Sequence, residues 1–248
     1  MFYQSNTLAK RILNILKREG IKGFSRRIEG RLRSKWSRYN VWVFSLQFAS
    51  VSDVLEYPAQ LDPKIVLMFE RCERVLNSLT FKQVKESDGE EIDELTAIDH
   101  WGQSKEGIIE WLKEGWCCYV AKFENRIVAY GWTKAGPKFY EPMLRRWFTL
   151  AEDEVYTSRT FCLPNWRCRG VVPMLTKWVT NHLALTEGVK KYIGWVRVDN
   201  LGQIRTLVQM GWLVVGRLGV AEIFGVCLHY IRGQRAFSAT KKRFSIRG

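Results

Sequence analysis

The stretch from Glu154 to Thr176, EVYTSRTFCLPNWRCRGVVPMLT, limits the fold more than any other part of the chain. Val155 to Leu163 is rich in Val, Thr, Tyr and Phe, which suit a pleated strand. Pro164 and Asn165 break that strand. Pro173 falls where a helix can begin, because the first helical turn has no use for its missing N–H. The segment therefore reads as strand, basic loop, helix. A loop of this kind aims several backbone N–H groups and a helix N-terminus at one spot, and that spot attracts phosphate. Arg167 and Arg169 add positive charge there, and Gly170 lets the backbone approach a ligand closely.

Arg167-Cys168-Arg169-Gly170-Val171-Val172 resembles the Arg/Gln-x-x-Gly-x-Gly/Ala loop of the GNAT acyltransferases, which grips the pyrophosphate of acetyl-coenzyme A. A second unit supports the likeness. Val198-Asp199-Asn200, then Ile204, Leu207, Met210, Gly211 and Trp212, looks like the family's next segment: a strand, an Asn, a helix, and a Gly-aromatic pair opening another strand. The resemblance spans residues 79–230. It implies an α+β fold, with a mixed, mainly antiparallel central sheet flanked by helices. A helical basic extension precedes it here.

The resemblance also implies a chemistry. The co-substrate is acetyl-coenzyme A or another acyl-coenzyme A, no metal takes part, and a small-molecule primary amine accepts the acyl group. Pantetheine pairs with the edge of the central strand at Phe161, Cys162 and Leu163. The pyrophosphate sits on the amides of Cys168 to Val172 beside Arg167 and Arg169, and Asn200 lies by the cofactor's far arm. An ammonium cannot attack a thioester, so a base must take its proton. Tyr156 occupies the position of the family's usual carboxylate, with Glu154 and Ser158 on the same strand face. Glu154 is the expected base; Tyr156 orients the acceptor or relays a proton. A backbone N–H near Cys162 or Leu163 is expected to stabilise the developing oxyanion.

Three residues depart from the pattern. Val172 replaces a Gly or Ala, Pro173 lacks an N–H, and Leu207 stands where many members carry a Tyr that protonates the leaving thiolate. No His or carboxylate is placed by sequence to activate Cys162 or Cys168, so direct transfer is favoured over an acyl-enzyme. Two other readings stay open. One is a non-catalytic module of this fold docked on a membrane or partner. The other is a longer-chain acyltransferase serving lipid or envelope polysaccharide.

The net charge of +14 belongs to the two ends. Residues 1–40 hold 11 Lys and Arg against two acids, and residues 232–248 hold six against none, leaving the middle near neutral. Within 7–18, Leu8, Ile12, Ile15 and Leu16 share one helical face, with Lys10, Arg11, Asn14, Lys17 and Arg18 largely away from it. Such a helix either lies on an anionic membrane surface, through residues 7–38, or packs on its own domain. Nucleic acid is disfavoured, since no groove-reading motif appears. Three units are expected: a basic extension and connector over 1–63, the acyltransferase-like domain over 64–231, and a basic tail over 232–248. The six Cys form no Cys-x-x-Cys pair and read as reduced thiols. With no span-length apolar run and no signal pattern, a cytoplasmic protein is expected, peripheral at the inner face of the membrane if the basic helix binds there. The aromatic insertion over 134–150 reads as a substrate lid or a cover for the sheet.

Overall fold

The computed structural model describes residues 40–56, 61–223 and 226–233. The basic segment 7–38 and the tail beyond 233 lie outside the described residues. Among the described residues ten strands and seven α-helices follow in order: β1 Asn40–Gln47, α1 Val51–Glu56, α2 Pro63–Arg71, α3 Glu73–Asn77, β2 Leu79–Val84, α4 Gly89–Ile98 and α5 Lys105–Lys113. Then come β3 Trp116–Phe123, β4 Arg126–Lys134, β5 Lys138–Glu141, β6 Arg146–Thr149, β7 Glu154–Cys162, α6 Val171–Glu187, β8 Lys191–Arg197, α7 Leu201–Gln209, β9 Leu213–Ile223 and β10 Val226–Gly233. Eight strands form one sheet in the order β10-β9-β1-β8-β7-β4-β3-β2, and β5 with β6 forms a separate ribbon. Only β7 and β8 run parallel; every other pair in the sheet is antiparallel. The fold is thus mixed α+β with a mainly antiparallel sheet.

Side-chain alternation along the strands splits the core between the two faces of the sheet. Phe44, Tyr119, Val128, Val155 and Tyr192 point to the face covered by α6, where Leu175 and Leu183 meet them. Val41, Val43, Val120, Tyr130 and Tyr156 point to the other face, under Ile92 and Leu95 of α4 and Ile108 of α5. The insertion over 134–150 is a cover for that second face. Its ribbon buries Phe139, Leu144, Phe148 and Leu150 there.

Strand β1 belongs to the sheet, although its residues were expected in the extension ahead of residue 64. It pairs with β8 from Val41 opposite Arg197 to Gln47 opposite Lys191, and with β9 from Asn40 opposite Gly219. Its apolar sequence, NVWVFSLQ, matches a strand buried on both faces. The helices start where polar residues cap them. Asp62 Oδ1 accepts from the Lys64 amide at 2.7 Å, Ser104 Oγ from Gly107 at 3.2 Å and Asn200 Oδ1 from Gln203 at 3.2 Å.

Candidate active site

The site begins where two strands part. β7 and β8 pair only from Glu154 opposite Lys191 to Thr157 opposite Gly194. Beyond Thr157, β7 keeps its partner on the β4 side, out to Cys162 opposite Ala129, and leaves its other edge open. A bulge marks the parting: Trp132 lies opposite Ser158 and Tyr130 opposite Phe161, so Arg159 and Thr160 share the space facing Gly131. Arg159 takes a left-handed backbone, φ 45°, which a non-glycine residue adopts only when its surroundings enforce it. A cleft of about 210 Å³ passes through this gap, touching Thr157 to Thr160 on β7, Gly194 to Arg197 on β8, and Asn200 and Leu207 near α7.

The open edge offers an amide to the gap. The Leu163 N–H donates to the Val128 carbonyl at 3.0 Å, so it is not the oxyanion donor. Neighbouring amides of a strand face opposite edges, so the Cys162 N–H faces the gap. The Cys162 carbonyl on that edge accepts from Arg167 Nε at 3.2 Å, and the Arg167 guanidinium lies 5.8 Å from the Phe161 ring centre. Burial pushes the Cys162 thiol up to about 11, with Arg167 opposing, so almost none of it is thiolate at neutral pH.

After β7, a turn of 3-10 helix at Pro164–Trp166 leads into the basic loop. Arg167, Cys168 and Arg169 are exposed, Val172 is half-buried, and Gly170 and Val171 are buried. Cys168 and Gly170 both take positive φ, at 59° and 76°. Among the described residues, the Cys168, Arg169 and Gly170 amides donate to no acceptor. These amides, the two Arg and the start of α6 fit a bound pyrophosphate. Gly170 also serves packing: a Cβ there would meet Leu76 Cδ1 and Phe69 Cδ1 at 3.3 Å, so α2 and α3 make a close approach at this position. Asn200 lines the cleft while capping α7, so its cap is compatible with the expected place beside the cofactor's far arm. Leu207 is buried at the cleft wall and offers no proton there.

The two expected catalytic residues separate. Glu154 does not line the cleft. It opens β7, where the strand is paired with β8; its Oε1 lies 2.6 Å from Lys191 Nζ and its Oε2 accepts from the Ala151 amide at 2.8 Å. With a 1% exposed carboxylate held in a buried ion pair, Glu154 fastens the strand and is not placed to take a proton. Tyr156 is placed for it. Its hydroxyl lies 2.9 Å from Glu141 Oε2 and 3.1 Å from Ser158 Oγ, and Ser158 lines the cleft. A hydroxyl has one proton: when Tyr156 donates to Glu141, Ser158 donates to Tyr156. Glu141 also accepts from the Met143 amide at 3.2 Å. Burial raises the Glu141 carboxyl above the usual range, the Met143 and Tyr156 donors opposing. Burial, then Glu141, keeps the Tyr156 hydroxyl protonated.

Glu141 and Arg159 escaped the sequence reading. Glu141 had a signal: in Lys138–Glu141 the alternation puts it on the same face as Phe139, an acid on the apolar side of a ribbon. Arg159 had none, because its orientation depends on the bulge. Its guanidinium lies 4.0 Å from the Trp111 ring centre and 5.8 Å from that of Trp101. Among the described residues, no group of three or more His, Cys, Asp or Glu is placed to hold a metal.

A sequence model described as the acetyltransferase (GNAT) family matches residues 86–212, from the start of α4 to the start of β9. No curated protein matches the chain. Several solved structures are similar to this chain at low identity. One is an aminoglycoside acetyltransferase from an uncultured soil metagenomic sample in complex with trehalose (16% identity, 54% of this chain and 88% of that one, TM-score 0.40). Another is the ribosomal-protein-alanine N-acetyltransferase of Brucella melitensis biovar Abortus 2308 (14%, 53% and 90%, 0.41). A third is the tandem GNAT protein from the clavulanic acid biosynthesis pathway (9%, 74% and 52%, 0.47).

Proposed function

The chain belongs to the acetyltransferase (GNAT) family and is a GNAT-type N-acyltransferase; on that premise we propose that it moves an acyl group, most simply acetyl, from coenzyme A to a primary amine by direct attack. The observation that carries this reading is the one-sided pairing of β7 beyond Thr157, beside a loop with three free amides. An open strand edge accepts an extended chain such as pantetheine by adding to the ladder. Phe161 and Cys162 would line that chain, and Arg167, Arg169 and the amides of Cys168 to Gly170 would hold the pyrophosphate. Bound there, the co-substrate supplies a thioester activated for attack.

The residues of the chain handle the proton. The amine N–H passes to Ser158 Oγ as Ser158 gives its proton to Tyr156, and Tyr156 gives its own to Glu141. Tyr156 need not ionise, since it receives one proton while releasing another, which suits its raised pKa. Glu141 is the final acceptor, and its raised pKa makes it a better one. The Cys162 amide is aimed into the gap as the oxyanion donor.

Coenzyme A should raise the melting temperature, because a ligand bound only to the folded state stabilises it. Arg167→Glu with Arg169→Glu should weaken that binding roughly tenfold or more, the scale of lost hydrogen bonds to a charged group. A melting temperature indifferent to saturating coenzyme A would overturn the reading. For the N-terminus, the apolar face of Leu8, Ile12, Ile15 and Leu16 within a basic segment favours an anionic membrane surface at the cytoplasmic side. Co-sedimentation with anionic vesicles that weakens with salt is the expected result. No sedimentation at low salt would remove it.

A further inference from the structure

We propose that Arg159 holds a carboxylate of the acceptor, so that the amine substrate is an amino acid or a similar carboxylate-bearing amine. This deepens the acyltransferase reading and rests on it. Arg159 lines the cleft next to Ser158, where the amine gives up its proton. An anion on Arg159 and an amine at Ser158 would then sit within one small molecule of each other, as they do in an α-amino acid.

Among the described residues Arg159 packs on rings but has no hydrogen-bonding partner. Among the described residues it forms no ion pair, and its Nη1 is buried without a hydrogen bond. Two carboxylates, Glu141 and Asp99, act on it through charge, but their oxygens are occupied. Glu141 takes the Tyr156 hydroxyl and the Met143 amide. Asp99 Oδ1 takes the Tyr130 hydroxyl at 2.7 Å, and Asp99 Oδ2 takes the Trp101 and Gln103 amides at 3.0 and 2.8 Å. A buried donor left without an acceptor is costly, and for a charged group the penalty is larger. An arriving carboxylate would remove it.

The surroundings fix the guanidinium as well as dry it. Trp111 lies against it at 4.0 Å, and Trp111 is itself stacked on Trp116 at 4.6 Å. A guanidinium packed on a ring face keeps its edge free for a planar carboxylate. The anion belongs to the acceptor and not to the cofactor, because Trp111 and Trp116 lie on the α4–α5 face of the sheet while the basic loop feeds α6 on the other. One Arg between two carboxylates suits a singly charged anion better than a doubly charged phosphate.

The test uses the full chain and begins by titrating coenzyme A. If that fails, the acyltransferase reading fails at that step, before any acceptor is added. With binding established, initial rates from acetyl-coenzyme A are compared for phenylalanine against phenylalaninamide, glycine against glycinamide, and phosphoethanolamine against ethanolamine. The amide amines are less basic and more often free, so intrinsic reactivity runs against the proposal. Wild type should nonetheless show kcat/KM roughly tenfold or more higher for an acid than for its amide, the scale of one hydrogen bond to a charged group. Arg159→Gln should raise KM for the acid and bring the acid-to-amide ratio towards one, with coenzyme A affinity unchanged. Equal or better use of the amides by wild type overturns the proposal, as does a ratio that survives Arg159→Gln. Preference for phosphoethanolamine over both amino acids overturns the carboxylate assignment. If nothing is turned over, N-acetylphenylalanine and its amide are compared by melting temperature on the coenzyme A-bound protein. A larger shift from the acid supports the site, and equal or absent shifts refute it.

Discussion

The two halves of β7 differ in how they are held. From Glu154 to Thr157 the strand is paired with β8, at Tyr156 and Thr157 with β4 as well, and its first carboxylate is locked to Lys191. From Ser158 to Cys162 it is paired on one edge only, bulged, and carries Arg159 at positive φ. The first half spends its polar groups on internal partners. The second leaves an amide, a hydroxyl and a guanidinium facing a gap. A site that must bind and release needs unsatisfied groups, and these persist only when a satisfied segment beside them fixes the backbone.

The comparison breaks most completely at Glu154. Glu154→Gln removes the carboxylate that lies 2.6 Å from the buried Lys191 ammonium and should lower stability by about 3–5 kcal/mol, read from urea unfolding. An unchanged unfolding midpoint would show that the first half is not anchored by this pair. Tyr156→Phe should instead keep the fold and coenzyme A binding but lower turnover by about 10²–10⁴-fold, the range for a positioned acid–base group. If both substitutions damage stability alike and turnover alike, the two halves have no separate roles.

The smallest effect sharpens the contrast at Glu141. Its folded pKa is raised, so the folded protein binds more protons than the unfolded chain between the two values. Stability is therefore fully present below the unfolded pKa and declines as pH rises through the folded one. Glu141→Gln removes that decline and should raise the melting temperature at neutral pH by a few degrees while lowering turnover. Wild-type turnover should fall as pH drops through the raised Glu141 pKa, and the variant should lose that dependence. A variant less stable than wild type at neutral pH would mean that the Tyr156 hydrogen bond outweighs the burial of charge.

What the sequence made legible was local. The strand, loop and helix start of 154–176 and the unit from Val198 to Trp212 each follow from residues adjacent in the chain. The open edge of β7 near Phe161 and Cys162 follows from likeness to a known pattern. Glu141 and Tyr156 are 15 residues apart and meet only when the ribbon folds onto the sheet. Glu154 reads as a base from sequence because Lys191, 37 residues on, gives no hint that it is the partner. Arg159 faces the cleft only because Gly131 shares its place in the ladder with two residues. Tertiary pairing decided each of these.

The placement of β1 bears on how the chain reaches this state. VWVFSLQF is made early, yet its two neighbours, β8 and β9, are among the last strands to leave the ribosome. At synthesis rates of roughly 5–20 residues per second, an uncharged, β-prone octapeptide waits on the order of ten seconds or more with both edges unpaired. Closing the sheet then needs contacts across most of the chain, the kind that form slowly. Folding in the cell would therefore depend on a holdase that shields this segment, and a chain that stops before β9 would leave it as a seed for aggregation.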